Sequence, residues 1–576
     1  TYTEAEIWDL KFTQSADTLY IAHPAHAPTK LTRSSHTSWT LSTMTFEDGP
    51  YFTTNTGTTT MTPGAATGST TLTASSIADI NGGLGFQTTD VGRHVRLKTS
   101  TNAWGWARIT SWTSTTVVNI TVIQTFTTAA ATVNWRLGAW SDTTGYPAAV
   151  TFYEDRLVYA GQTGLPQTIF GSYVGSYQNF APTAYDTSAT VTDSHAYSFT
   201  LNSNDVQVIR WMIGDEKGLL LGTHSAEWVL RASTTGQALS PTNVVARQTT
   251  RYGSNTVRPL QAGKATLFVQ KSGRKVREFA YDYAIDGFRA PSMVILSEHL
   301  TLGGIIDMDF QQEPHSILWC ARDDGALLGF TYDREQNEFG WCWAQLGGTS
   351  TYEGLPAAVE SVACIPAPDG SYDELWLVVR RYIDGQTVRY VEYLDMSRGM
   401  DGDVEDSYFV DCGITYDGAA TDTITGLDHL EGETVQVVAD GTAHPDCTVS
   451  GGSITLNAEY SLVHAGLFAD ASIVTMKIEA GSATGTAQGK RKKIERVIAR
   501  VYNSIGGKAG SPDGNLDGLL KRDSASPMSA AVLPYSGDTV LTWPYGHETA
   551  GQIKIVQDQP LPFNLLALFV DVNTKD

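Results

Sequence analysis

Short runs of alternating apolar and polar residues, cut by Ser, Asp, Gly and Pro, fill most of the chain. A period of two places successive side chains on opposite faces, the signature of a strand. Leu10 to Gln14 is one such run, Ser15-Ala16-Asp17 a turn, and Leu19 to Ala22 a second, more apolar strand. His23 to Pro28 is a proline-bracketed turn and Lys30 to Arg33 opens a third strand. Trp39 to Leu41 with Met44 to Phe46 complete a four-stranded unit. Polar turns this short join only antiparallel neighbours, so the unit is a meander.

The pattern returns five more times. The copies hold Val150 to Tyr153, Leu157 to Ala160 and Thr168 to Ser172; then Val206 to Ile213, Leu219 to Gly222 and Glu227 to Arg231; then Ala265 to Gln270 and Lys275 to Tyr281. The fifth copy holds Ile305 to Phe310, Ser316 to Ala321, Leu327 to Tyr332 and Trp341 to Ala344. The sixth holds Val359 to Ile365, Glu374 to Val379 and Thr387 to Leu394. In five of the units one strand is nearly all apolar (LVYA, LLLG, LFVQ, ILWC, LWLVV), as a strand covered on both faces should be. Meanders repeated every ~40–60 residues point to a β-propeller, in which each blade buries its faces against its neighbours. The expectation is an all-β protein: a propeller of about six blades, with residues 1–50 as the first and 141–398 as the rest.

Two segments break the repeat. Between residues 51 and 140 the chain turns to Thr, Ser, Ala and Gly, with strands at Val95 to Leu97, Trp104 to Ile109, Thr116 to Ile123 and Ala131 to Leu137. That reads as an inserted small β-barrel or sandwich. Residues 399–576 open on the acidic run GMDGDVED. They continue with strands at Thr434 to Ala439, Gly452 to Asn457, Val474 to Ile478, Lys490 to Asn503 and within Leu541 to Val572, predicting a C-terminal β-domain. These strands either pair among themselves or pair with chain upstream of Thr1, a segment expected because the sequence does not begin with Met.

Composition agrees with an all-β reading. The 576 residues are 41% hydrophobic, 10% aromatic and only 17% charged, so several cores can be filled. The net charge of −22 argues against a general nucleic-acid binder, which needs a basic face. There is no apolar run long enough to span a membrane and no charged-then-apolar leader. Cys320, Cys342, Cys364, Cys412 and Cys447 include no CxxC pair and read as buried free thiols of a reducing compartment.

Candidate chemistry is sparse. GxSxG and HExxH are absent, and His547-Glu548 lacks a second His. Gly485 to Lys490 (GTAQGK) is one residue short of a phosphate-binding loop and lies among strands. Asp307 and Asp309 share a strand face; they are either a metal or catalytic pair or, preferred here, the solvated or channel-facing side of a propeller strand. Asp401, Asp403, Glu405 and Asp406 lack calcium-loop spacing. Lys490, Arg491, Lys492 and Lys493, with Arg496 and Arg500 beyond, form the strongest basic run, suited to phosphate contact or to an acidic partner subunit. Lys271, Arg274, Lys275 and Arg277 form a second group on a turn of the fourth unit, an interface candidate or simply an exposed charged turn. No catalytic residue, metal or cofactor is assigned.

Four stretches resemble the tail nozzle proteins of short-tailed bacteriophages, also called tail tubular protein B. They are LKFTQSADTLYIAHPAHAPTKLTR (Leu10–Arg33), GAWSDTTGYPAAVTFYEDRLVYAGQTGLPQTIFGSYVGSYQNF (Gly138–Phe180), LFVQKSGRKVREFAYDYAIDGFRAP (Leu267–Pro291) and LWCARDDGALLGFTYDREQNEFGWCW (Leu318–Trp343). The resemblance covers roughly Tyr2 to Leu346. Beyond Met396 only GKRKKIERV and DQPLPFNLLALFV are similar to the family, and family members carry a further stretch before the QSAD-like motif. The resemblance implies a non-enzymatic virion protein of the distal tail, made in the bacterial host cytoplasm. It implies a homohexameric ring docked to the tail adaptor ring and to tail fibres or tailspikes, its channel passing double-stranded DNA without holding it. A ring of six such acidic chains would repel phosphate, provided the carboxylates line the lumen. A polysaccharide-degrading tail enzyme, which needs paired carboxylates in a cleft, and a monomeric host-binding propeller module are the other classes.

Overall fold

A computed structural model describes residues 2–99, 103–186, 190–234, 236–395, 403–479, 485–520 and 531–575. The chain divides into two compact units, Thr1–Glu298 and His299–Asp576. Both are built from antiparallel sheets, and the one α-helix among the described residues is the single turn Glu4–Ile7.

The first unit holds four four-stranded meanders and one six-stranded sheet. The first meander is Lys11–Ser15, Thr18–His23, His26–Ser35 and Ser38–Thr43; the second is Ala149–Tyr153, Arg156–Gln162, Leu165–Gly171 and Tyr197–Thr200. The third is Ile209–Asp215, Gly218–Thr223, Glu227–Arg231 and Val245–Thr250; the fourth is Leu260–Ala262, Ala265–Val269, Val276–Asp282 and Gly287–Arg289. In each, strands pair in chain order. The second strands of meanders two, three and four are buried along their whole length. Each is paired on both edges and covered on both faces, the condition that makes a strand uniformly apolar.

Met44 to Phe46 is not a strand; the first meander ends at Thr43. Those side chains leave the sheet edge and fill a core instead. Met44 is buried with its sulfur 3.1 Å from the Tyr159 hydroxyl, and Phe46 packs edge-on against Trp140 and Phe180.

The inserted segment is one six-stranded half-barrel sheet, not a two-sheet sandwich. Its strands are Met61–Pro63, Ser69–Ala74, His94–Leu97, Gly105–Ser114, Val117–Gln124 and Trp135–Leu137. They enclose a core of Leu72, Ile80, Phe86, Val95, Leu97, Ile109, Val118, Ile120, Phe126 and Trp135. Its root is held by buried arginines. Arg93 meets Asp90 at 2.8 Å and donates to Asn81 at 2.8 Å. Arg96 lies 3.8 Å from Asp48, donates to the Thr183 carbonyl at 2.9 Å and stacks near Trp104. A buried charge is tolerated when paired and hydrogen-bonded: Arg93 ties parts of the insert to one another, and Arg96, through Asp48 and Thr183, ties the insert to the chain on either side of it.

The second unit opens with two more meanders: Ile305–Gln311, Ile317–Arg322, Leu327–Asp333 and Glu338–Ala344, then the three strands Ala358–Pro366, Asp373–Ile383 and Gln386–Leu394. Three further sheets follow. Asp411–Thr425, Thr434–Ala439, Thr442–Thr448 and Ser453–Leu467 form one, and Arg491–Ser504 sits between Tyr535–Thr542 and Asn564–Lys575 in another. The last is a small sheet of Ala471–Val474, Lys554–Gln557, Lys508–Gly510 and Leu516–Gly518. The C-terminal strands therefore pair among themselves. Only Cys320 of the five cysteines is buried; Cys342 is exposed and the other three are partly covered, which corrects the expectation of five buried thiols.

Candidate functional site

The first strands of the first three meanders of unit one run side by side. At one end Lys11, Phe12 and Thr13 meet Ala149 to Thr151, Trp211 to Ile213, Arg258 and Pro259. Arg258, just ahead of the fourth meander, lies over the Phe12 ring at 5.2 Å, so the fourth lead-in returns to the first strand. At the other end the same strands open on a cleft of about 480 Å3 lined by Gln14, Phe152, Tyr153, Tyr177 and Gln261, with the turn residues Glu154, Asp155, Asp215 and Glu216. Glu154 accepts the Leu239 amide at 2.6 Å. Burial pushes the Asp215 carboxyl above its ordinary range, against the pull of the Lys217 amide.

Asp307 and Asp309 do share a face, and that face looks at the next meander. Asp307 Oδ2 accepts the Ser361 hydroxyl at 2.7 Å and the Val362 amide at 3.1 Å. Asp309 Oδ2 accepts the Cys364 amide at 2.7 Å. Their other oxygens take the amides of Met308 (3.0 Å) and Phe310 (2.9 Å). Four of these five donors are backbone amides. The pair is a double clasp between the first strands of the fifth and sixth meanders, a contact no local reading could supply.

The basic groups do not form one cationic surface. Lys271 and Arg274 are exposed on the turn before Val276, and Lys275 pairs with Glu298 at 2.7 Å. Arg277 is not on the turn: it is buried in the following strand with its guanidinium 3.4 Å from the centre of the Tyr252 ring. In the C-terminal run Lys490 ends a turn, Arg491 is exposed and Lys492 is buried, its ammonium on the Ile478 carbonyl at 2.5 Å. Lys493 meets Glu495 at 2.8 Å, Arg496 meets Asp571 at 2.7 Å and Arg500 meets Asp538 at 2.7 Å. Alternation along the strand splits the run between core and surface, and Lys493, Arg496 and Arg500 are matched by acids of their own sheet.

Gly485 to Lys490 leads into the strand Arg491–Ser504, so no helix N-terminus faces it for a phosphate. Of the acidic linker, Asp401 lies outside the described residues, and Val404–Asp406 is a short turn whose Glu405 carbonyl faces His464 Nε2 at 2.9 Å. A cleft of about 660 Å3 in unit two is lined by Tyr390, Glu392, Tyr408, Asp411, Cys412 and His429. Behind its wall the buried Arg381 holds Glu392 through two bonds of 2.6 and 2.8 Å. The Gly347 amide donates to Asp411 at 2.6 Å, yet burial pushes that carboxyl up to about 6. Among the described residues, the one set of three side chains whose donor atoms could hold a metal is Glu6, His23 and His26. By sequence both histidines fall in a proline-bracketed turn with no role of their own, and the His-x-x-His spacing is the one signal toward them.

The geometry defines a sheet-built protein in which polar clusters such as Asp307 and Asp309 join neighbouring sheets. Residues 148–288 match the family described as bacteriophage nozzle protein, which supports the nozzle resemblance read from the sequence. The match points to a structural protein of the phage tail, a virion component, and not to an enzyme. It spans the second, third and fourth meanders almost end to end. No curated protein matches the chain. Among solved structures, a 6-phosphogluconolactonase assignment from Bacteroides uniformis aligns at 10% identity over 67% of this chain and 98% of its own, with a TM-score of 0.28. A protein from Lactobacillus plantarum aligns at 11% identity over 65% and 99%, TM-score 0.26. An auxiliary nutrient binding protein from Bacteroides thetaiotaomicron aligns at 9% over 59% and 84%, TM-score 0.24. Scores this low carry no argument about this chain.

Proposed function

We propose that the chain is a wall subunit of the phage tail nozzle. Its meanders are the roughly six blades of a propeller, and six chains form the ring whose channel conducts the genome during ejection. The ring docks to the tail adaptor above and to fibres or tailspikes around it, at the distal end of a virion assembled in the host cytoplasm. The observation that carries the reading is the family match, because its limits fall on three consecutive meanders. The convergence of first strands in unit one supports the propeller, since first strands of blades line the axis. The acidic turns Glu154, Asp155, Asp215 and Glu216 support a wall that phosphate slides past. A sugar-cleaving role would need a free carboxylate pair. Asp307 and Asp309 are instead occupied by the neighbouring strand.

The test is assembly. The full chain, mixed with the adaptor ring of its own tail, is sized by light scattering and imaged by negative stain. A six-fold ring with a central hole is the expected outcome. A chain that stays monomeric beside its adaptor refutes the reading.

A further inference from the structure

The Glu6–His23–His26 cluster joins two pieces of chain, the N-terminal turn of helix and the turn between His23 and His26. The helix Glu4–Ile7 is one turn long and buries none of its residues. An isolated turn of helix does not persist in water, so something outside it must hold it. What holds it is a side chain: Glu6 Oε1 lies 2.8 Å from His26 Nε2. His23 and His26 are cross-strand partners at the turn that joins Thr18–His23 to His26–Ser35, their ring centres 5.0 Å apart. One donor atom from each of Glu6, His23 and His26 lies within 4.8 Å of the other two.

The surroundings orient these donors. The second oxygen of Glu6 is taken by the Thr3 amide and the Thr3 hydroxyl, both at 2.8 Å, which leaves Oε1 aimed at the histidines. The Tyr2 ring packs edge-on against His26 at 5.1 Å, and its hydroxyl meets Thr29 at 2.7 Å. His23 is buried. Held carboxylates and packed imidazoles are what metal sites use to fix their ligands.

We infer that Glu6, His23 and His26 form a binding site for one Zn2+ ion per chain, clipping the N-terminal helix to the turn between the second and third strands of the first meander. Two imidazoles and a carboxylate suit Zn2+ and not Mg2+ or Ca2+, which take oxygen ligands. At Zn–N and Zn–O lengths of about 2.0–2.2 Å, tetrahedral donors stand roughly 3.4 Å apart. The 2.8 Å Glu6–His26 contact must therefore open slightly while His23 closes in. Binding puts the cation where the Glu6–His26 hydrogen bond was: a neutral His26 ligates through Nε2 with its one N–H on Nδ1, and an imidazolium first gives one proton to solvent. His23 Nδ1 now takes the Ala25 amide at 3.2 Å, a long contact that a metal bond outweighs. Solvent fills the fourth position, since His26 is 37% exposed.

The experiment uses the full chain without a histidine tag, stripped with chelator and titrated with ZnCl2 and separately with CoCl2. One Zn2+ per chain, the visible bands of tetrahedral Co2+, and slower hydrogen exchange of residues 3–9 with metal are expected. Glu6→Gln and His26→Gln should each weaken binding by about 100-fold or more. His26→Gln keeps a donor toward Glu6, so a folded variant that loses zinc separates ligation from simple docking. His444→Gln controls for zinc held elsewhere, because His444 lies 3.8 Å from Cys447 Sγ, and should leave binding unchanged. Binding that survives both Glu6→Gln and His26→Gln, or that is lost in His444→Gln alone, overturns the assignment, as does failure of the stripped chain to take up zinc.

Discussion

Removing Asp309 tests whether the sheets of the second unit are joined by carboxylate clasps. Asp309→Ala deletes one charged acceptor from the Cys364 amide at 2.7 Å and one from the Phe310 amide at 2.9 Å. A hydrogen bond to a charged group contributes about 1.5–3 kcal/mol, and a stranded amide adds part of its desolvation cost. Asp309 is only half-buried, so water recovers some of the loss. The expected cost is about 2 kcal/mol, and about 3 for Asp307→Ala, which also strands the Ser361 hydroxyl. Asn at either position keeps an acceptor without the charge and should lose less than half as much. A two-unit chain does not unfold in one step, so a single melting curve averages the effect away. Amide exchange reads it locally: protection at Cys364 should fall by about 30-fold in Asp309→Ala, and at Val362 by more in Asp307→Ala. If both amides keep their protection while the variants stay as stable as the parent, the carboxylates face solvent and the clasp does not exist.

In the third meander, a Cβ at Gly222 would run into the indole of Trp211, which is itself buried. Gly222→Ala should cost about 1–3 kcal/mol, visible as a lowered first transition in urea, and Trp211→Phe should relieve part of it. Asp411 gives a pH dependence of known sign. Its folded value of about 6 lies above the ordinary 3.8, so the folded state holds the proton more tightly. The stability this adds is fully present below about pH 4 and is lost as pH rises through 6. The size is on the order of 2 kcal/mol, the full shift discounted for the part of the residue that water still reaches. The difference in unit-two stability between parent and Asp411→Asn should therefore slope between pH 4 and 7; a flat difference refutes the burial argument. On the proposed nozzle reading, Glu154, Asp155, Asp215 and Glu216 predict that Asp215→Lys with Glu216→Lys makes DNA retention by the assembled chains salt-dependent, measured by filter binding; retention equal to the parent's at low salt counts against an acidic passage.

How much of this was legible depended on whether the cause lay nearby in the chain. Strands such as Glu227–Arg231 and Thr434–Ala439 match the expected limits residue for residue, because paired and covered strands advertise themselves by composition alone. Ser69–Ala74 escaped because its Thr-rich face is largely exposed and only Leu72 and Ala74 reach the core, and Met61–Pro63 because three residues are too short a run to show a pattern, although Met61 and Pro63 are buried. Thr is a good strand former, but without apolar alternation its run reads as linker. The site was harder for the same reason taken further. Asp307 and Asp309 share a face by parity, which any reader of the sequence can see; their partners at Ser361 to Cys364 lie more than fifty residues on, in a different sheet. Lys492 looked like its basic neighbours until strand parity, not charge, decided that it turns inward while Arg491 does not. Glu6 and His26 are twenty residues apart, and only the closing of one hairpin under one turn of helix makes them a pair. Charge and parity thus set what each side chain can do, while topology selects which of those capacities is used. A protein whose polar groups are spent on sheet-to-sheet contacts will show its chemistry only after its sheets are placed.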